Sequence, residues 1–192
     1  QAISNEPSYN RNLMSGEFVR DVIKDLGPRL RAAGFQTKFV LPDDIRSSDA
    51  ARVANIVMSD SVAAPFVGSL ATHLYDEPIS NVSSIQAVAD AYNLPLWMTE
   101  FTQSASGSID GISYAEGIMH PMINDYNVSM QMYLWGFFGN WVDSRETLIS
   151  LNYGGAAYTG YTLNQMYYVM GQYSRHIPPG TVRVGVTSDQ PT

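Results

Sequence analysis

Short apolar runs that suit β-strands alternate with longer runs of helical periodicity through nearly the whole chain. That alternation restricts the fold to an α/β domain built on a parallel sheet. The β-like runs fall at residues 2–5, 37–41 (TKFVL), 69–75 (SLATHLY), 94–101 (LPLWMTEF) and 131–137 (QMYLWGF). The first predicted helix starts at Gly16, where Phe18, Val22, Ile23 and Leu26 recur at three- and four-residue spacing. Ser15 is placed to cap it, Gly34 to stop it, and Gly27-Pro28 to kink or divide it. Further helices are predicted over 49–60, 80–92, 114–126 and 164–176, the last after a Gly/Tyr-rich loop at 152–162. Pro178-Pro179-Gly180 then breaks the helical register, and residues 181–186 (TVRVGV) alternate like an antiparallel strand of another unit.

Charge and composition exclude several functions. Eleven Lys+Arg against 18 Asp+Glu give a net charge of −7, which repels nucleic-acid phosphates. A neutral polymer incurs no such cost. With no cysteine there is no disulfide, thiolate metal site or cysteine nucleophile. The most apolar run, residues 130–142, falls short of the roughly 18 residues of a membrane span. His73, His120 and His176 are scattered without zinc-type spacing, and no P-loop, GxGxxG or GxSxG occurs, so no metal or cofactor is expected.

Glutamates end two of the predicted strands: Glu6 in Asn5-Glu6-Pro7 and Glu100 in Thr99-Glu100. Active-site residues of parallel α/β barrels project from the carboxyl ends of strands, so these two could face each other across a barrel mouth. A facing carboxylate pair is what glycoside hydrolysis requires. A single glutamate is more often a solvated charge, but both of these close apolar runs. Strict alternation forbids Asn5 and Glu6 from both pointing inward unless the strand ends or bulges there, and Pro7 favours an ending. His73 and Tyr75 share parity and face one side of the sheet. A histidine there could orient a carboxylate or bind a sugar hydroxyl, or be a satisfied core residue. Tyr133, Trp135 and Phe137 are expected on one face of the fifth strand, with Tyr133 in the core and Trp135 nearer a ligand. Asp43-Asp44 could form a polar lip of the cleft, but a turn or capping role fits the pair better.

The segments AISNEP, THLY, LWMTEF and QYSRHIPPGTVRVGV resemble, in order and spacing, the second half of family 30 glycoside hydrolases. The resemblance implies a retaining (β/α)8 enzyme in which Glu6 is the acid/base and Glu100 the nucleophile. It makes Asn5 the ligand of the sugar 2-hydroxyl, and His73, Tyr75 and Trp135 cleft residues. The Ser-Arg-x-Ile-x-Pro-Gly run at 174–180 resembles the family's junction between barrel and β-sandwich. Residues 1–177 are then five βα units, the fourth to eighth strands of a TIM barrel with their helices, and 178–192 begin the sandwich. On that count the chain is expected to be a fragment, its missing barrel half belonging to a longer chain or another one. The implied substrate is a β-linked polysaccharide or oligosaccharide, met outside the cell. An endo-β-1,4-xylanase is the first expectation. A β-1,6-glucanase, a β-1,6-galactanase and a noncatalytic glycan-binding partial barrel are the alternatives.

Overall fold

The computed structural model of the protein describes residues 3–8, 14–102 and 110–185. Its centre is an all-parallel sheet in the order β1 (Phe39–Asp44), β2 (Val67–Thr72), β3 (Leu96–Met98) and β4 (Val128–Gln131). Helix α1 (Gly16–Ala32) precedes β1. The crossovers are α2 (Ser47–Met58), α3 (Val82–Ala91) and a composite helix. That composite is α4 (Gly111–Tyr114), a π-helical stretch (Ala115–Met119) and α5 (His120–Asn124). Each strand lies beside its sequence neighbour, so successive right-handed crossovers stack helices on one face and the sheet forms an arc of a barrel. Among the described residues the arc does not close: β1 and β4 each pair on one side.

Local chemistry accounts for the helices. Ser15 Oγ accepts the Phe18 amide at 3.2 Å and caps α1, and Gly34 takes φ +85° just beyond its end. The division expected at Gly27-Pro28 does not occur. Val19, Ile23 and Gly27 form one continuous buried stripe along α1, and Pro28 costs the helix a single backbone bond. Ile23, Leu41, Val53, Val57, Leu70, Ile85 and Met98 are fully buried between helices and sheet.

Four of the five expected strands are present, one of them displaced. Residues 3–5 form no ladder, and residue 2 lies outside the described residues. The segment instead hooks on through one backbone bond, from the Glu6 amide to the Asp43 carbonyl at 2.9 Å. The last barrel strand is displaced towards the N-terminus and ends at Gln131, so Tyr133, Trp135 and Phe137 do not share a strand. Tyr133 turns away to donate its hydroxyl to the Arg145 carbonyl at 2.7 Å. The Gly/Tyr-rich tract is no loop. It folds into an antiparallel hairpin, β6 (Ile149–Gly154) with β7 (Ala157–Leu163), and β5 (Phe137–Gly139) pairs parallel to β6. Cross-strand polar contacts support it: Asn152 Nδ2 donates to Thr162 Oγ1 at 3.1 Å, and Thr159 Oγ1 donates to the Asn152 carbonyl at 3.1 Å. Asn164 Nδ2 donates to the Thr147 carbonyl and Ser150 Oγ, fastening the hairpin to the start of α6 (Gln165–His176). Residues 181–185 carry no strand, and Val186 lies outside the described residues. Among the described residues no helix is long and apolar enough to cross a membrane.

Leu70 sits in the middle of the arc with no exposed surface. Leu70→Ala is expected to cost about 2–5 kcal/mol. Urea unfolding should show this as a lower midpoint at unchanged slope.

Candidate active site

Backbone pairing continues past the regular strand ends, and this gathers the polar side chains. The His73 amide donates to the Asp44 carbonyl (2.8 Å), Tyr75 to Ile45 (3.1 Å), Thr99 to Thr72 (3.2 Å) and Leu134 to Phe101 (2.9 Å). Asp43, His73, Tyr75, Thr99 and Glu100 thus emerge together at the carboxyl edge of the sheet. Glu6 joins them from its own loop.

His73 is the hub and is fully buried. Its Nδ1 lies 3.0 Å from Glu6 Oε1. Its Nε2 faces Asp43 Oδ1 at 3.7 Å and Glu100 Oε2 at 3.9 Å, both beyond hydrogen-bond range, so these contacts are electrostatic. Tyr75 donates its hydroxyl to Glu100 Oε1 at 3.3 Å, and its ring meets the His73 ring edge-on at 5.8 Å. Thr99 Oγ1 donates to Asp43 Oδ1. Glu6, His73 and Glu100 each present one atom within 4.8 Å of the others. Such a trio could hold a cation, which the scattered histidines gave no reason to expect. Two-carboxylate chemistry runs without one.

The electrostatics follow from this crowding. Burial pushes the Glu100 carboxyl above the usual carboxylate value; the Glu6 charge adds to the rise and His73 opposes it. Burial would depress the His73 imidazole, but neighbouring Asp43, Glu100 and Glu6 outweigh it and raise His73 above its ordinary 6.5. Asp43 is held low: burial raises it, while His73 and the Thr99 hydroxyl more than compensate. Burial and the Glu100 charge push the Tyr75 phenol far up, so it remains a hydrogen-bond donor.

The structure thus brings Glu6, Glu100, His73 and Tyr75 into one cluster. Glu6 has φ +51°, a left-handed backbone, so strand alternation does not govern it. It is nearly buried, and Asn5 beside it is exposed. Trp135 is half-buried and lies 4.2 Å, between ring centroids, from Phe138, next to the Leu134–Phe101 backbone bond. The turn or capping reading of Asp43 is corrected: its backbone has φ +63° and its carboxylate enters the cluster, whereas Asp44 turns inward to accept from Ser8. An acid pair closing an apolar strand run was the available signal.

Comparison with known proteins agrees with this geometry. The family model described as "Glycosyl hydrolase family 30 TIM-barrel domain" matches residues 6–116, more than half of the chain. The Caenorhabditis elegans protein named "Putative glucosylceramidase 2" is 26% identical over 92% of this chain and 36% of its own length. "Endo-1,6-beta-D-glucanase neg1" of Aspergillus fumigatus is 26% identical over 94% and 37%. The chain thus spans little more than a third of these curated relatives. Among solved structures, an endo-β1,6-glucanase aligns with TM-score 0.77 at 22% identity, covering 98% of this chain and 46% of that one. A family 30 subfamily 8 xylanase from Clostridium acetobutylicum aligns with TM-score 0.68 at 20% identity, covering 93% and 42%. These structural likenesses support the partial-barrel fold.

The His73 contacts predict a pH signature. A raised folded value makes the stabilisation fully present below the imidazole's unfolded value near 6.5, and lost as pH rises through the folded value. An NMR titration of His73 should therefore give a midpoint above 6.5, with urea stability falling through the same window. Asp43→Asn should lower that midpoint. A His73 midpoint below 6.5 would contradict the arrangement.

Proposed function

The chain belongs to glycosyl hydrolase family 30, and from that premise we propose that it carries both catalytic acids of a retaining β-glycosidase acting on a neutral polysaccharide. The observation that carries this reading is the approach of Glu6 and Glu100 to within 4.8 Å, from segments far apart in sequence. Retaining enzymes hold their carboxyls about 5–5.5 Å apart, whereas inverting ones leave roughly 6.5–9.5 Å for a water.

Glu100 is the nucleophile. Tyr75 holds one of its oxygens and leaves the other free to attack the anomeric carbon. As that C–O bond forms, the glycosidic C–O bond breaks and Glu6 gives its proton to the departing oxygen. Water then loses a proton to Glu6, its oxygen bonds to the anomeric carbon, and Glu100 is released with net retention. His73 is a positioning residue. Its Nδ1, 3.0 Å from Glu6 Oε1, fixes where the acid/base carboxyl sits. Asn5 takes the sugar 2-hydroxyl and Trp135 covers an apolar sugar face.

The activity is that of the whole protein. In this reading residues 1–177 supply five βα units and 178–192 begin a β-sandwich, while the remaining barrel strands come from the rest of the polypeptide or from another chain. A polymer too large to enter a cell places the enzyme outside it. The xylan expected from the sequence is joined on equal terms by β-1,6-glucan, which the glucanase relatives favour.

Three measurements on the full-length enzyme test this. Glu100→Gln should abolish turnover while leaving glycan binding nearly intact. Glu6→Gln should lower kcat on polysaccharide by about 10²–10⁴-fold, and far less on an aryl glycoside whose leaving group needs no proton. Proton NMR of the first product should show the β anomer. An initial α anomer, or near-normal turnover by Glu100→Gln, overturns the assignment. A panel of xylan, β-1,6-glucan and β-1,6-galactan identifies the substrate.

A further inference from the structure

A row of aromatic rings runs out along the hairpin from the segment bonded beside Glu100. It begins at Trp135, one residue beyond the Leu134–Phe101 backbone bond that adjoins Glu100. Ring centroids then follow at 4.2 Å to Phe138, 6.0 Å to Trp141, 5.6 Å to Tyr153 and 5.9 Å to Tyr158. The row is held in place at both ends. Trp135 exchanges backbone bonds with Glu146 and Leu148, and Tyr153 and Tyr158 pair across β6 and β7.

Trp141 is the unusual member. Its side chain is 70% exposed, yet the ring is not loose. It lies directly against the backbone of Gly139, where an added Cβ would fall 2.1–2.4 Å from three ring atoms. Glycine therefore permits the indole to rest on β5, and Phe138 and Tyr153 flank it. One face is fixed against the protein and the rest stands open to solvent. A large indole fixed and exposed in this way exacts a hydration cost that a bound apolar surface would relieve. Asp143 and Arg145, which follow Trp141 in sequence, pair with each other through contacts of 2.6 and 2.9 Å.

We propose that Trp141, backed by Gly139, is a stacking subsite for a pyranose ring of a neutral β-linked polysaccharide, beyond the sugar that Trp135 covers. The inference rests on the glycosidase reading, because the row starts beside the segment that carries Glu100 and a neutral polymer is the ligand that both surfaces share. The subsite binds distal units and takes no part in the chemistry. Its signature is a dependence on chain length.

The test uses the full-length enzyme with xylan and β-1,6-glucan oligosaccharides. Affinity is measured calorimetrically in a Glu100→Gln background, and aryl-glycoside hydrolysis with Glu100 intact. Trp141→Ala should weaken long oligosaccharides about tenfold, the loss of one stacked aromatic, and leave aryl-glycoside kcat/KM within about twofold. Trp141→Tyr should keep most of the affinity, and Gly139→Ala should reproduce the loss by displacing the ring. Hydrolysis of the oligosaccharides by Glu100→Gln marks failure of the catalytic assignment, whereas an affinity unmoved by Trp141→Ala marks failure of the subsite, so the two failures are distinguishable. Unchanged oligosaccharide affinity in Trp141→Ala, or an equal loss on the aryl glycoside, overturns the proposal. So does a change of sedimentation coefficient with glycan affinity intact, which would assign the face to a second copy of the chain.

Discussion

A single buried imidazole sets the terms for the rest of the site. His73 has no solvent exposure, and removing a polar ring from water without full hydrogen bonding is costly. Three carboxylates placed within 4 Å of one ring repel each other for the opposite reason. Each problem is the other's solution. Glu6, Asp43 and Glu100 provide the negative field that offsets the imidazole's burial, and the imidazole lets three acids occupy one pocket. The raised His73 value and the lowered Asp43 value follow from that exchange, while burial lifts Glu100 against the pull of His73.

The scaffold supports this unit on its apolar side with a stack of rings. Tyr75 lies on Phe101 at 5.7 Å, Phe101 on Tyr114 at 5.5 Å, and Tyr133 meets Tyr114 edge-on at 5.6 Å. Tyr114 is the first fully buried aromatic behind the site and belongs to the composite helix between β3 and β4. The stack therefore ties the Tyr75–Glu100 contact to the sheet, to that helix and, through the Tyr133 hydroxyl, to the Arg145 carbonyl. Burial lifts the Glu100 carboxyl, which this stack adjoins through Tyr75.

Which parts of this were legible in sequence depends on how local the cause was. The strands through Leu41, Leu70 and Met98 announce themselves by apolar runs, and the Ser15 cap by one side chain. His73, Tyr75 and Glu100 followed from strand alternation and position. Asp43 did not, because its role depends on a left-handed backbone after Pro42 that no periodicity encodes. The fifth strand was misplaced because the aromatic density of 131–137 imitates β-propensity, whereas the ladder is fixed by pairing with Leu96–Met98. The hairpin was hidden by its glycines, which read locally as breaks and are accommodated by cross-strand partners distant in sequence. Long-range pairing, not composition, decided both the strand and the hairpin misses.

The proposed chemistry places unequal demands on the two halves of a barrel. Both acids, the tyrosine that orients one and the histidine that holds the other all issue from a single arc, the edge spanning β1 to β3 and the loop bonded to it. Their mutual distances are fixed by backbone bonds within that arc. Further strands pairing with the open edges of β1 and β4 would add walls to the cleft and bury those edges. They would not need to deliver a reacting group. In such an arrangement the reaction type is set by the arc, and the choice among polysaccharides falls to surfaces that can vary without disturbing His73, namely the hairpin and whatever completes the rim.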